Sequence, residues 1–330
     1  MSETTAPAFP IDRIQDAGAA IIGSVATVID GKTEAIRTAL TVMLAQGHLL
    51  VEDVPGVGKT VLARALAASV GGTVSRIQFT SDMLPSDVTG VNIYDQGSGT
   101  FRFSPGPVFA NVVIGDEINR TSPKTQSALL EAMAESQVTV DGVTRPLDSP
   151  FMIVATQNPI DMEGTYPLPE AQRDRFMARI AMGYPSPQAE RQMLASRGGS
   201  DPLAAVRPIV DVETLRAMTT TVHAVHVAAD VEAYIVELVR ATRSHPDLLL
   251  GASPRATLHL AQASRAHAAL LGRPFVTPDD VATLAPIVLA HRLVPVARGL
   301  GGAAEDTSRE IVVRIVADTV VPFTATPVRS

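Results

Sequence analysis

The stretch that decides the fold is Leu49-Leu50-Val51-Glu52-Asp53-Val54-Pro55-Gly56-Val57-Gly58-Lys59-Thr60-Val61. His48 to Glu52 reads as a short strand. Thr60 to Val70 reads as a helix with Val61, Leu62, Leu66 and Ala67 on its apolar side, closed by Gly71-Gly72. Glycines in the connecting loop let backbone N–H groups turn toward an anion, and the helix N-terminus adds partial positive charge. Lys59 can pair with phosphate oxygens and Thr60 can ligate magnesium, so Asp53, Val54, Pro55, Gly56, Val57, Gly58, Lys59, Thr60 and Val61 form a candidate phosphate cradle. The pattern departs from Gly-x-x-x-x-Gly-Lys-Thr at Asp53. A carboxylate beside phosphates is repelled, so Asp53 must point away or cap the loop. A second Gly-Lys-Thr, Gly31 to Thr33, lacks a glycine-rich approach and is not a phosphate loop. Context, not the tripeptide, carries the reading.

Working outward, Val112-Val113-Ile114-Gly115 is an apolar strand that ends in Asp116-Glu117. Unpaired carboxylates are costly to desolvate, so a buried strand ending this way has a task. Asp116 can hold magnesium through water, and Glu117 is placed to polarise an attacking water. Phe151 to Ala155 is a further apolar strand, leading into the polar Thr156-Gln157-Asn158. In this order Asn158 would sit between the phosphate loop and the acid strand and orient water; the alternative is a simple Asn turn before Pro159. Arg255 occupies about the second position of a helix capped by Ser253, where the dipole disfavours a cation. A nearby anion such as a γ-phosphate would offset that, whereas a surface Arg would simply extend into solvent. Arg173 and Arg175 flank Asp174; they are either an arginine supplied to a neighbouring subunit or an intramolecular Arg–Asp pair.

Short apolar runs alternate with helical stretches up to Tyr184, as in a three-layer α/β domain. Two hairpins interrupt it. Val91 to Tyr94 and Thr100 to Phe103 flank Gly97-Ser98-Gly99, and Gln137 to Val140 and Val143 to Leu147 flank Asp141-Gly142. Beyond Pro185 helices take over, with starts at Ser186-Pro187, Asp211, Ser253-Pro254 and Thr277-Pro278. The expected organisation is a tail over 1–20, an α/β nucleotide-binding core over 21–184, a helical lid over 185–322 and a tail over 323–330.

Composition narrows the function. The 330 residues are 46% hydrophobic and 18% charged, which suits a packed core. Aromatic content of 4% and a formal charge of −7 argue against a base-stacking or generally basic nucleic-acid binder. The absence of cysteine excludes disulfides, thiolate metal sites and cysteine nucleophiles. No His-Glu-x-x-His, guanine-reading Asn-Lys-x-Asp or Gly-x-Ser-x-Gly motif occurs. With no basic n-region at the start and no apolar run long enough to span a bilayer, the expected location is cytoplasmic.

In this order the motifs resemble the MoxR family of AAA+ ATPases. The resemblance rests on Gly47 to Thr60, Asp116-Glu117-Ile118-Asn119-Arg120, Lys124 to Met133, Ala155 to Pro159, Gly164 to Gln172 with Asp174-Arg175-Phe176, and Gly251 to Arg255. It implies a P-loop core with a five-stranded parallel sheet, followed by a small all-α lid. It makes Asn158 the sensor 1 residue, Arg255 the sensor 2 arginine and Arg175 the arginine finger. It also places Gly31 in the adenine-gripping segment, with Lys32 where Gln is usual. The first hairpin resembles a helix-2 insert and the second a pre-sensor-1 hairpin. ATP and Mg2+ are the implied substrate and cofactor. The implied assembly is a homo-oligomeric ring, usually a hexamer, acting as a chaperone on client proteins or metalloenzymes with a von Willebrand A domain partner. A magnesium-chelatase ATPase subunit, a DNA-associated AAA+ motor and a non-hydrolysing ATP-binding protein are the competing readings.

Overall fold

The computed structural model describes residues 9–54, 56–158, 166–196, 202–296 and 302–321. Pro55 and the expected tail over 323–330 lie outside them. The chain opens with helices α1 (Ile11–Ala26) and α2 (Thr33–Leu44), then β1 (Leu49–Glu52), α3 (Lys59–Ser69), β2 (Val74–Gln78) and the short α4 (Pro85–Thr89). The first hairpin, β3 (Gly90–Asp95) with β4 (Thr100–Pro105), leads to β5 (Val112–Asp116) and α5 (Pro123–Glu135). The second hairpin, β6 (Gln137–Val140) with β7 (Val143–Pro146), precedes β8 (Met152–Gln157), α6 (Glu170–Arg173) and β9 (Ala178–Ile180). Then follow α7 (Pro187–Ser196), α8 (Val212–His223), α9 (Ala229–Ser244), β10 (Leu248–Leu250), α10 (Pro254–Leu270), α11 (Pro278–Leu289), β11 (Val294–Pro295) and α12 (Gly302–Asp318).

Five strands form a parallel sheet in the order β2-β5-β8-β1-β9. Its central strands are apolar up to their C-terminal ends because both faces are covered. Alternation along each strand sends side chains to opposite layers. Leu49, Val51, Ile114 and Val154 join a core shared with α1, α2, α3 and the C-terminal helices. Leu50, Val113, Ile153 and Ala155 join a second core under α5 and the hairpins.

Residues 11–20, expected in a tail, instead begin α1. Ile14, Ile21, Ile22 and Val25 are buried along one face of it, and the helix packs on α2, α3 and α10. Gly18 permits that approach, since a β-carbon there would collide with the Leu270 side chain. The helix starts read from the sequence are the observed ones. Asp211 Oδ1 accepts from the Thr214 amide at 2.8 Å, and Ser253 Oγ from the Arg255 amide at 3.1 Å. The lid also carries the short antiparallel pair β10–β11. Strands of three and two residues are too brief for alternation to show in the sequence. The two hairpins sit side by side, joined by Asn92 Nδ2 donating to Asp141 Oδ2 at 2.7 Å and by Arg145 stacked 3.8 Å over the Phe103 ring.

Candidate functional site

The C-terminal ends of the sheet strands lie level, with Glu52 opposite Gln157 and Gln78 opposite Asp116. That edge is where open α/β sheets take ligands. Between β1 and α3 the loop turns on Gly56 (φ 85°) and Gly58 (φ 95°), a left-handed backbone that residues with a β-carbon rarely adopt. Lys59 Nζ donates to the carbonyls of Asp53 at 2.5 Å and Gln157 at 3.4 Å, across the mouth of the loop. Burial lowers the pKa of its ammonium, while the carboxylates of Asp53, Asp116, Glu117 and Glu52 act in the opposite direction. Asp53 caps the loop. Its carboxylate accepts from the amides of Val54 at 2.7 Å, Met182 at 2.6 Å and Gly183 at 2.5 Å. The charge is thus satisfied by backbone donors, and the loop is tied to the segment that leaves β9 for the lid.

The Thr60 hydroxyl lies 3.2 and 3.3 Å from the two oxygens of Asp116. Buried Thr156 links the acid pair, donating to Asp116 Oδ1 at 3.2 Å and accepting from the Glu117 amide at 3.0 Å. Arg76 Nε donates to Asp116 Oδ2 at 2.7 Å. Glu117 holds left-handed angles (φ 57°, ψ 50°), which cost a non-glycine residue about 1–3 kcal/mol and which cluster at functional sites. Its Oε2 accepts from Gln78 Nε2 at 3.2 Å and pairs ionically with Arg120, whose Nε lies 3.0 Å away. Asn158 directly follows β8, the strand lying between β1 and β5.

A cavity of about 430 Å³ opens beside the loop, lined by Val28, Ile29, Lys32, Gly56, Val57 and Val61 among others. Gly31 (φ 72°) lies within the Ile29–Lys32 stretch that borders it, and Lys32 Nζ donates to the Tyr184 carbonyl at 2.9 Å. An apolar wall next to a cradle of amides fits a nucleotide base and its phosphates. Magnesium fits too: it is held by one or two protein oxygens completed by waters and substrate phosphates, and Thr60 with Asp116 provides those oxygens.

Arg175 and Arg255 lie elsewhere. Both line a second cavity of about 430 Å³ that shares no lining residue with the first and has no acidic residue in its wall. Arg173 does not line it; its guanidinium lies 4.0 Å from Glu170. His48 and His259 complete the polar wall. His48 Nε2 meets the Met133 carbonyl at 3.0 Å while Nδ1 accepts from the Ile153 amide at 3.1 Å, partners that define a neutral ring. Burial lowers its pKa to about 4. Burial, then the charges of Arg292 and Arg255, lowers that of His259 to about 3.

These rings bind protons less readily folded than unfolded, where histidine titrates near about 6.5. The unfolded chain therefore takes up more protons below that pH, and stability is lost as pH falls from about 6.5 toward about 4 and about 3. The urea midpoint is expected to drop between pH 7 and 5, with each histidine contributing up to about 1.4 kcal/mol per pH unit. A midpoint that stays flat over that interval would contradict the buried neutral assignment.

Comparisons with known proteins agree with this architecture. Residues 48–178 match the ATPase family associated with various cellular activities (AAA), and residues 240–312 match an AAA lid domain. The chain is 44% identical to the chaperone MoxR1 of Mycobacterium tuberculosis, over 91% of this chain and 80% of that protein. It is 33% identical to MoxR of Methylorubrum extorquens, over 84% of this chain and 88% of that protein. The chain belongs to the MoxR family of AAA+ ATPases. A crystal structure of a Cytophaga hutchinsonii protein assigned as an ATPase superposes with a TM-score of 0.84 at 36% identity, covering 95% of this chain and 97% of that one. The MoxR-type fold thus runs through core and lid alike, and family membership carries ATPase activity in general with it. Among the described residues, no helix is long and apolar enough to cross a membrane.

Four residues that touch the acid pair, Thr156, Arg76, Gln78 and Arg120, have no role that the sequence assigns. A lone Thr within an apolar strand is a weak signal. Arg76 and Gln78, two apart on β2, face the acids only because β2 pairs with β5.

Proposed function

We propose that the chain binds Mg-ATP in the cleft at the ends of β1, β5 and β8 and hydrolyses it within a ring of copies. In this reading Asp53 to Val61 cradle the phosphates, with Lys59 on the β- and γ-oxygens, and the Gly31 segment borders the base. Thr60 and Asp116 would hold magnesium, which when bound neutralises charge on the phosphate oxygens. Glu117 takes a proton from the attacking water and Asn158 orients that water. Arg175 and Arg255 serve the nucleotide of the adjacent copy.

One observation carries the ring: the two arginines share an acid-free cavity separate from the phosphate loop. Cations so placed suit an anion brought by a second molecule, and head-to-tail contacts of this kind form rings where the rotation between copies closes. A six-membered ring, a von Willebrand A domain partner and chaperone-like assembly or activation of client proteins or metalloenzymes complete the proposal. The name of the Mycobacterium tuberculosis relative, a chaperone, supports that role. Lys59→Ala is expected to abolish ATP binding in calorimetry with the circular dichroism spectrum unchanged. Wild-type affinity in that variant would overturn the assignment of the cradle.

A further inference from the structure

Asp174 stands between Arg173 and Arg175, yet its partner is 118 residues away. Arg292 Nη1 donates to Asp174 Oδ1 at 2.6 Å and to the Asp174 carbonyl at 2.9 Å. Its Nη2 donates to the Phe176 carbonyl at 2.6 Å and to His259 Nδ1 at 2.6 Å, and its Nε to the Val288 carbonyl at 2.9 Å. The Arg292 side chain is 1% exposed. The Asp174 carboxylate also accepts from Ser253 Oγ at 2.8 Å, and that same Oγ caps α10 through the Arg255 amide.

Apart from the bond to Val288, which anchors Arg292 to the end of α11, these bonds bear on the two cavity arginines. Arg292 grips the backbone on both sides of Arg175, at Asp174 and Phe176. On α10 it holds His259, one turn beyond Arg255, and Asp174 holds the residue that caps that helix in front of Arg255. We infer that Arg292, Asp174 and Ser253 are positioning residues, a lock between core and lid that presents Arg175 and Arg255 to the neighbouring copy as one rigid pair. The inference rests on the proposed action of those arginines across the interface. A planar guanidinium with several donors on one fork suits the task, because it fixes orientation as well as distance. The ion pair also makes the lock depend on charge: either partner alone would be a charge left in a mostly buried setting.

The test separates positioning from folding. Asp174→Asn is expected to lower turnover about 10- to 100-fold, the scale set by misplacing catalytic groups by about an ångström. Its ADP affinity, a property of its own phosphate loop, should remain within about twofold of wild type. The double variant Asp174→Leu/Arg292→Met replaces the pair with apolar side chains, which commonly restores stability. It is expected to melt near the wild-type temperature while turnover stays low. Ser253→Gly should lower turnover and Ser253→Thr, which keeps the hydroxyl, should restore it. Turnover that recovers together with stability in the double variant, or Asp174→Asn retaining more than half of wild-type turnover, would overturn the lock. Arg175→Ala, assayed in parallel, tells the two failures apart. If it is inactive while the lock variants are active, only the lock falls; if it is active, the interface reading and the lock fall together.

Discussion

Arg175→Ala is expected to reduce ATP turnover about 10³- to 10⁵-fold, the range over which an arginine supplied in trans acts in related phosphoryl transfer. The guanidinium lines a cavity that holds Arg255 and no carboxylate, while the phosphate loop borders a different cavity. Nucleotide binding at the variant's own Lys59 should be unaffected. Activity should depend on assembly, so wild-type specific activity should rise with protein concentration as rings form. Mixing supplies the sharper measurement. Arg175→Ala and Lys59→Ala subunits are each inactive alone, but a mixed ring contains interfaces that pair an intact Lys59 with an intact Arg175. Those interfaces should recover part of the turnover. Wild-type turnover by Arg175→Ala at every concentration would remove the finger assignment, and Arg173 would be the next residue to test.

Glu117→Gln should bind Mg-ATP about as tightly as the wild type and lose ~10²–10⁴-fold in turnover, the usual worth of general-base help. The amide keeps the shape of the side chain, and an acceptor oxygen remains for Arg120 and Gln78, which now reach Glu117 Oε2 at 3.0 and 3.2 Å. What it loses is the capacity to take a proton. Calorimetry with Mg-ATP and a phosphate-release assay measure the two properties separately; turnover above half the wild-type rate would exclude Glu117 as the base. Because that variant should hold ATP and client together, it is also the bait with which to identify clients from native lysate.

How much of this was legible in the chain depended on whether the information was local. The phosphate loop is a contiguous pattern whose strand, glycines and helix start are neighbours in sequence. Its backbone conformation follows from residue type, as Gly56 and Gly58 show. The buried stripe of α9, Val231, Tyr234, Ile235, Leu238 and Val239, follows from helical period. The Asp141-Gly142 hairpin follows from turn chemistry. Even the need for Asp53 to turn away from phosphate followed from its charge, although its partners, Met182 and Gly183, did not. The stripe of Ile14, Ile21, Ile22 and Val25 in α1 was equally periodic. What places it in the folded body is its packing on α2, α3 and α10, a surface that a single amphipathic helix does not announce.

The sequence by itself determined the class of domain, the glycine turn between β1 and α3, the acid pair ending β5 and the helical nature of the lid, since each is encoded by residues adjacent or periodic along the chain. Only the tertiary structure decided that Arg175 and Arg255 share one cavity, that Thr156 bridges Asp116 and Glu117, and that Asp174 belongs to Arg292 and not to the arginines beside it. Those relations join residues 39 to 118 positions apart. Strand order and core-to-lid packing set them, and no local propensity or period reports which distant side chain will satisfy a buried charge.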